Sequence, residues 1–282
     1  MFPPPNSCDC HVHVIGPKAR FPLPTNRRYT PSDATAAELA AMLKRLGMSR
    51  VVIIQPSFYG TDNACTLDGI AQVGQARGVA VLPAQVPAAE LDSLHSQGIR
   101  GLRINIATFG GAPLDDIKTK LAAAAKLCER HGWHVQLFVA AEVIAPLAPL
   151  LRALPVDSVI DHFGLIAPGT SGGPLRALQG LLETGKTWVK ISGAYRIASD
   201  PNNRQIDPLA RALIKANAER IVWGSDWPHT PPHTIQKPLD QESPFQDIDT
   251  RGLLDLLPRW LEDEALIARV LVTNPARLYG FS

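Results

Sequence analysis

A closed (β/α)8 barrel, the TIM-barrel class of α/β fold, is what this sequence predicts, and three observations carry that expectation. Eight short apolar, β-branched segments recur along the chain, each followed by a stretch able to form a helix. The length of 282 residues suits a fold that needs about 250. Hydrophobic residues make up 45% of the chain, enough for one large core. No linker and no repeat beyond the βα unit is visible, so one domain is expected over residues 1–282.

The first strand is expected over 8–14 and is followed by a helix at 32–47, which opens on Ser-Asp and closes on Gly47. The second, at 50–55, holds the continuous apolar run Val51-Val52-Ile53-Ile54 that suits a parallel strand covered by helices. Its helix is expected at 64–77. The third and fourth strands are expected at 79–86 and 99–106, with helices at 88–97 and 114–131. The 114–131 helix has acidic residues in its first turn and basic ones in its last, matching the helix dipole. Strands at 134–139, 158–163, 188–193 and 220–227 complete the set, with helices at 141–153, 173–185 and 204–218 between them and two short ones within 247–272. Residues 228–244 are too rich in proline for helix or strand, and directly after the last strand they are expected to rim the barrel mouth.

Composition narrows the function classes. The formal net charge is +2 with no basic stripe, which argues against nucleic acid and anionic membrane as partners. There is neither a signal-peptide pattern at the N-terminus nor a run of ~20 apolar residues, so a cytoplasmic location is expected. The four cysteines form no CxxC pair and read as buried free thiols. No GxGxxG or P-loop appears, which removes the usual nucleotide-binding alternatives.

Strand alternation sorts each segment into two faces. In the first strand Asp9, His11 and His13 share a face against Cys8, Cys10, Val12 and Val14, and the apolar set suits the surrounding helices. The same logic turns Arg103, Asn105, His162 and Asp226 inward, together with Gln55, Gln136, Lys190 and Ser192, and leaves Asp161 on an apolar side. Polar groups there are costly unless paired, so their convergence late in the strands points to a site at the C-terminal face.

At these residues a family resemblance is visible. Asp9-Cys10-His11-Val12-His13, Asp161-His162-Phe163-Gly164, Trp223-Gly224-Ser225-Asp226-Trp227-Pro228 and Asn274-Pro275-Ala276-Arg277-Leu278-Tyr279-Gly280 resemble the amidohydrolase superfamily (amidohydrolase family 2). The chain looks most similar to the branch of 2-pyrone-4,6-dicarboxylate lactonase and sugar-acid lactonases. The resemblance implies a hydrolase whose reaction centre falls here on His11, His13, His162 and Asp226. Metal-dependent relatives usually add a bridging Lys or a Glu on strand four and a His on strand five. Here those positions offer Arg103 with Asn105, and Gln136, while His134 lies deeper. A two-metal site is therefore not expected. The lactonase branch that the chain resembles includes enzymes that work without metal, and Arg103 beside the centre suits an anion, so the expectation is that no metal is required. The alternative is a single Zn²⁺ held by His11, His13, His162 and Asp226, whose imidazole and carboxylate groups suit zinc.

The expected reaction is hydrolysis of a carboxylated lactone, with Asp226 as general base and the three histidines polarising the carbonyl. Arg103 and Arg196 are candidates for substrate carboxylates, because a guanidinium fork matches a carboxylate. Asn105, Gln136, Tyr59 and Tyr195 are expected to add hydrogen bonds; Lys190, Arg27 and Arg28 are weaker candidates. The expected partner is a small anionic lactone, and assembly into a homo-oligomer stays open. Rival readings are a mononuclear zinc hydrolase or decarboxylase, a lactone isomerase, and a binding barrel without turnover.

Overall fold

The computed structural model describes residues 2–232 and 237–282. Eight parallel strands follow one another round the sheet in chain order: β1 Cys8–Val12, β2 Arg50–Ile54, β3 Ala76–Ala80, β4 Ile99–Asn105, β5 His134–Phe138, β6 Ser158–Ile160, β7 Thr187–Ser192 and β8 Ile221–Gly224. Just beyond β8 the chain meets β1 again. Asp226 N donates to His11 O and His13 N donates to Trp227 O, both at 2.8 Å, and these bonds draw the sheet into a barrel.

Helices cover the outside: α1 Ala36–Leu46, α2 Ala64–Val73, α3 Ala88–Ser96, α4 Leu114–Glu129, α5 Ile144–Ala153, α6 Gly173–Leu182 and α7 Ile206–Asn217. The start of α1 is set by Thr35, not by Ser32-Asp33, through a reciprocal capping box with Glu38. The third strand begins three residues before the expected 79 and ends at Ala80. Gly74, at φ 88°, stops α2 early, and Ala76 then pairs with Val51. The expected extension of β3 runs into Pro83, which has no N–H for a ladder. The expected pair of helices within 247–272 is three: α8 Thr250–Leu254, α9 Leu257–Leu261 and α10 Glu264–Ala268. Asp249 and Asp263 each cap a new start, which divides the segment. α11, Asn274–Tyr279, then carries the buried Tyr279 ring to within 5.3 Å of His134 at the deep end of the barrel.

β1 departs from strict alternation, and the departure aims the site. Asp9 pairs with Val51 and Val12 with Ile53, so Cys10 and His11 together stand opposite Val52. This β-bulge changes the face parity. Cys8 and Cys10 pack with Val52, Val222 and Tyr279 in the inner layer, not against the helices as alternation predicted. Beyond the bulge His11 and His13 face inward. Asp9 is turned away, its Oδ1 accepting from Ser225 N (2.9 Å) and His11 N (3.2 Å). Gln55 is also corrected: it points out of the barrel, where its Oε1 accepts from Thr66 Oγ1 at 2.6 Å.

The rim after β8 is tied to the loop after β1. Thr30–Pro31 pairs in parallel with Glu242–Ser243, and Arg27 and Thr30 both donate to Leu239 O. Arg27 is thus a loop pin, and Arg28 is exposed. Within the predicted rim, residues 233–236 lie outside the described residues. All four cysteines are buried and free. No helix among the described residues is long and apolar enough to cross a membrane.

Candidate active site

Asp226 is the hub of the polar groups at the C-terminal mouth. Its φ of 64° turns the carboxylate back over the barrel at the end of β8. Oδ2 accepts from Arg196 Nε at 2.6 Å and from Tyr195 OH at 2.7 Å. Oδ1 is buried without a hydrogen-bond partner, with His11 Nε2 and His13 Nε2 each 3.7 Å away. Burial opposes ionisation, but Arg196, His162, His11 and His13 together hold this carboxyl well below the usual carboxylate range. Gly224 permits the geometry: a Cβ there would lie 2.6 Å from His11 Cβ and 2.7 Å from His11 N.

The three imidazoles differ in the protons they can offer. His13 Nδ1 lies 2.7 Å from Ile54 O, which can only accept, so Nδ1 carries the proton and Nε2 presents a lone pair. Burial, helped by Arg103, pushes His13 down to about 4, so it stays neutral at pH 7. It therefore cannot donate to a carbonyl, which corrects the role that residue type suggested. His11 Nδ1 sits between Asp161 Oδ1 (3.3 Å) and Lys190 Nζ (3.4 Å), so either tautomer has a partner. His162 Nδ1 faces the Ser192 hydroxyl at 3.0 Å, which likewise donates or accepts. Those two rings can put an Nε2–H into the centre. Positive φ at His162, Phe163, Gly164 and Leu165 lifts His162 out of the β6 alternation and over the mouth, 4.6 Å from the His11 ring.

Beneath this layer lies a buried ionic cluster around Asp161, which strand alternation had placed on the wrong face. Its Oδ2 accepts from Gln136 Nε2 at 3.1 Å, with Arg103 NH2 at 3.5 Å, and Lys190 Nζ lies 3.8 Å from Oδ1. Against burial, His11, Lys190 and Arg103 hold Asp161 ionised far below its usual range. Burial brings Lys190 down to about 8. Lys190 also donates to Cys10 O and Gln136 Oε1, both at 2.8 Å. Gln136 is thus a member of this cluster and is not among the residues lining the cavity over Asp226. Phe138, two residues on, takes the mouth position and packs 5.1 Å from the His162 ring.

A cavity of about 20 Å³ sits over Asp226, lined by His13, Tyr29, Ser57, Arg103, Asn105 and His162 among others. It has room for about one water. Tyr29, Ser57, Thr108 and Thr230 line it although alternation along the strands gives no signal for them, since all four lie outside the eight barrel strands, Ser57 and Thr108 in short 3-10 turns. Tyr59 does not line it: the residue closes a 3-10 turn that begins after Pro56, and its ring packs 5.1 Å from that of Phe58. Arg103 donates to Gln55 O at 3.2 Å and keeps Nε without a partner. Arg196 is already committed, through Asp226 and through Thr230 Oγ1 at 2.8 Å.

The donor set can be tested for a metal. Ligand atoms of His11, His13 and Asp226 lie within 4.8 Å of one another, and the orphaned Asp226 Oδ1 and His11 Nε2 face each other across that space. His13 already has the Nδ1–H to backbone bond typical of a zinc-binding imidazole. One divalent ion fits these three residues. A second ion does not, because Lys190 and Arg103 already flank Asp161.

An eight-stranded barrel with an Asp and imidazoles converging at its C-terminal mouth is an amidohydrolase-type scaffold, and the chain belongs to the amidohydrolase family, whose model matches residues 8–281. Within it, the chain is 33% identical to a 2-pyrone-4,6-dicarboxylate hydrolase of Comamonas testosteroni, covering 98% of this chain and 90% of the relative. It is 32% identical to a 4-sulfomuconolactone hydrolase of Hydrogenophaga intermedia, covering 98% and 89%. An Acinetobacter baumannii crystal structure assigned as a 2-pyrone-4,6-dicarboxylic acid hydrolase, with citric acid bound, aligns at a TM-score of 0.78 and 28% identity over 98% of this chain and 100% of that one.

Proposed function

We propose that this chain hydrolyses a lactone carrying at least one anionic group, with Asp226 as the base. The observation that carries the reading is Asp226 Oδ1: a buried, ionised oxygen left without a partner, beside a cavity for about one water. The two relatives named above act on lactones bearing carboxylate or sulfonate groups, which fits the cationic side chains here.

Water held by Asp226 Oδ1 and the His13 Nε2 lone pair gives a proton to Asp226 as its oxygen attacks the lactone carbonyl carbon. His162 and His11, each with an Nε2–H, stabilise the tetrahedral oxyanion together with Arg103. Collapse breaks the ring C–O bond, and Asp226 returns the proton to the leaving oxygen. Arg196 tempers the basicity of Asp226 in the empty site. An anionic substrate beside Arg196 weakens that hold and strengthens the base. Arg103, with its free Nε, is the first partner for the substrate anion, and Asn105 shares its wall.

An ion held by His11, His13 and Asp226 would polarise the carbonyl and acidify water. The charges around the centre favour turnover without one. Arg103, Lys190 and Arg196 already balance Asp9, Asp161 and Asp226, so a divalent ion finds no net negative charge to neutralise.

The test is Asp226→Asn assayed on 2-pyrone-4,6-dicarboxylate and 4-sulfomuconolactone, with binding measured calorimetrically. Turnover should fall by about 10²–10⁴ with Kd changed little. Arg103→Ala should chiefly raise KM. Wild-type-like turnover in the Asn variant would remove Asp226 as base, and an inert wild type on every anionic lactone would remove the reading itself.

A further inference from the structure

The cavity over Asp226 is too small for a substrate, so the body of the lactone must lie beside it. A second cavity, of about 490 Å³, adjoins it, and the two share Phe138 and Arg196 as a common wall. That volume falls within the ~300–1,000 Å³ of small-molecule sites.

The walls of this cleft are unlike those of a site for a compact dianion. Ile106, Phe138, Val143, Leu165 and the Tyr195 ring supply apolar surface from four successive βα loops. Arg196 is the sole cation among the described lining residues, and its Nε and NH2 are bonded to Asp226 and Thr230. Gln246 is held by its own side-chain bond to Thr230 O at 2.9 Å. Glu142, exposed at the edge, would repel a second carboxylate. An anionic group therefore finds its partner at the inner end, by Arg103, and an uncharged arm finds surface to bury along the cleft.

We infer that the substrate is a lactone with one anionic group near the ring and an apolar arm, alkyl or aryl, that occupies the cleft bounded by Phe138, Leu165 and Val143. This rests on the lactonase reading above and narrows it. The arm sets specificity through buried area, and Glu142 at the edge of the cleft repels dianions with a remote charge.

The experiment is a series of 4-carboxy-γ-butyrolactones bearing hydrogen, ethyl, butyl, hexyl or phenyl at the ring carbon next to oxygen, assayed by kcat/KM on the wild-type protein. Each buried carbon should raise kcat/KM by about 2.5- to 4-fold, so the four carbons of butyl should give at least about a 30-fold rise over hydrogen. In Ala107→Phe and Val143→Phe, which narrow the cleft from partly exposed loop positions, the ratio of butyl to hydrogen should shrink below about threefold. A flat series on an enzyme that turns over its unsubstituted member overturns the apolar arm while leaving lactone hydrolysis standing. Absence of turnover on every member, and on the two anionic lactones tested above, overturns the reading on which it rests. Should either variant fail to fold, the wild-type series alone decides.

Discussion

Asp226 gives one oxygen to Arg196 and Tyr195 and leaves the other without a partner, and that division makes a residue-scale prediction for the proposed base. Asp226 lies well below the usual carboxylate range and His13 near 4, so wild-type kcat/KM should stay flat from pH 7 down to about 5. Removing the guanidinium in Arg196→Gln favours the protonated carboxyl, which raises the Asp226 pKa. The acid limb should move up by about one pH unit or more, and an unmoved limb would show that Arg196 does not set this base. Asp161→Asn should lower kcat about 10–100-fold with KM little changed, since it orients His11 from behind; a change confined to KM would contradict that. His11, His13, His162 and Asp226 were legible in the sequence because each ends a strand or its following turn with a chemistry-bearing side chain. Asp161 was not, because β6 stops at Ile160 and the left-handed backbone from His162 on changes which neighbour faces inward.

At the scale of elements, the bulge in β1 and the close approach of β8 act together. The bulge brings His11 to the inner face beside Cys10, and Gly224 leaves space for its backbone. In Gly224→Ala the new methyl group meets backbone, which cannot swing aside as a side-chain end can. A loss of about 1–3 kcal/mol in urea unfolding is expected, with turnover reduced in the fraction that folds. Stability and activity equal to wild type would mean that β1 and β8 can separate without consequence. The barrel order was readable from eight apolar runs, whereas the parity change was not, since a bulge leaves no mark in an apolar-polar pattern. The ends of β3 and α2 were blurred for a different reason: Ala76-Arg77-Gly78 reads as a helix tail until its pairing with β2 is seen.

Across the whole molecule, burial of neutral imidazoles links folding to pH. His13 and His229 are brought down to about 4 and His134 to about 3, in each case chiefly by burial. The unfolded chain takes those protons near 6.5, so stability falls as pH drops from 6.5 towards 4. Asp9, raised by burial to about 6, works in the opposite sense over 6 to 4, and it offsets one of the three. Each net proton is worth roughly 1.4 kcal/mol per pH unit, so Tm should fall steeply between pH 6.5 and 4.5. A Tm that is level over that range would contradict the neutral state of the buried histidines. The same neutral state is what leaves the His13 lone pair for water, or for an ion, at Asp226. The most direct measurement is therefore turnover of 2-pyrone-4,6-dicarboxylate, or of the best lactone in the series, by protein stripped of metal and checked for zinc content. This account predicts a kcat within about twofold of untreated protein, with no gain on adding Zn²⁺. Activity that disappears with the metal and returns with stoichiometric zinc would contradict it, and would make His11, His13 and Asp226 ligands first.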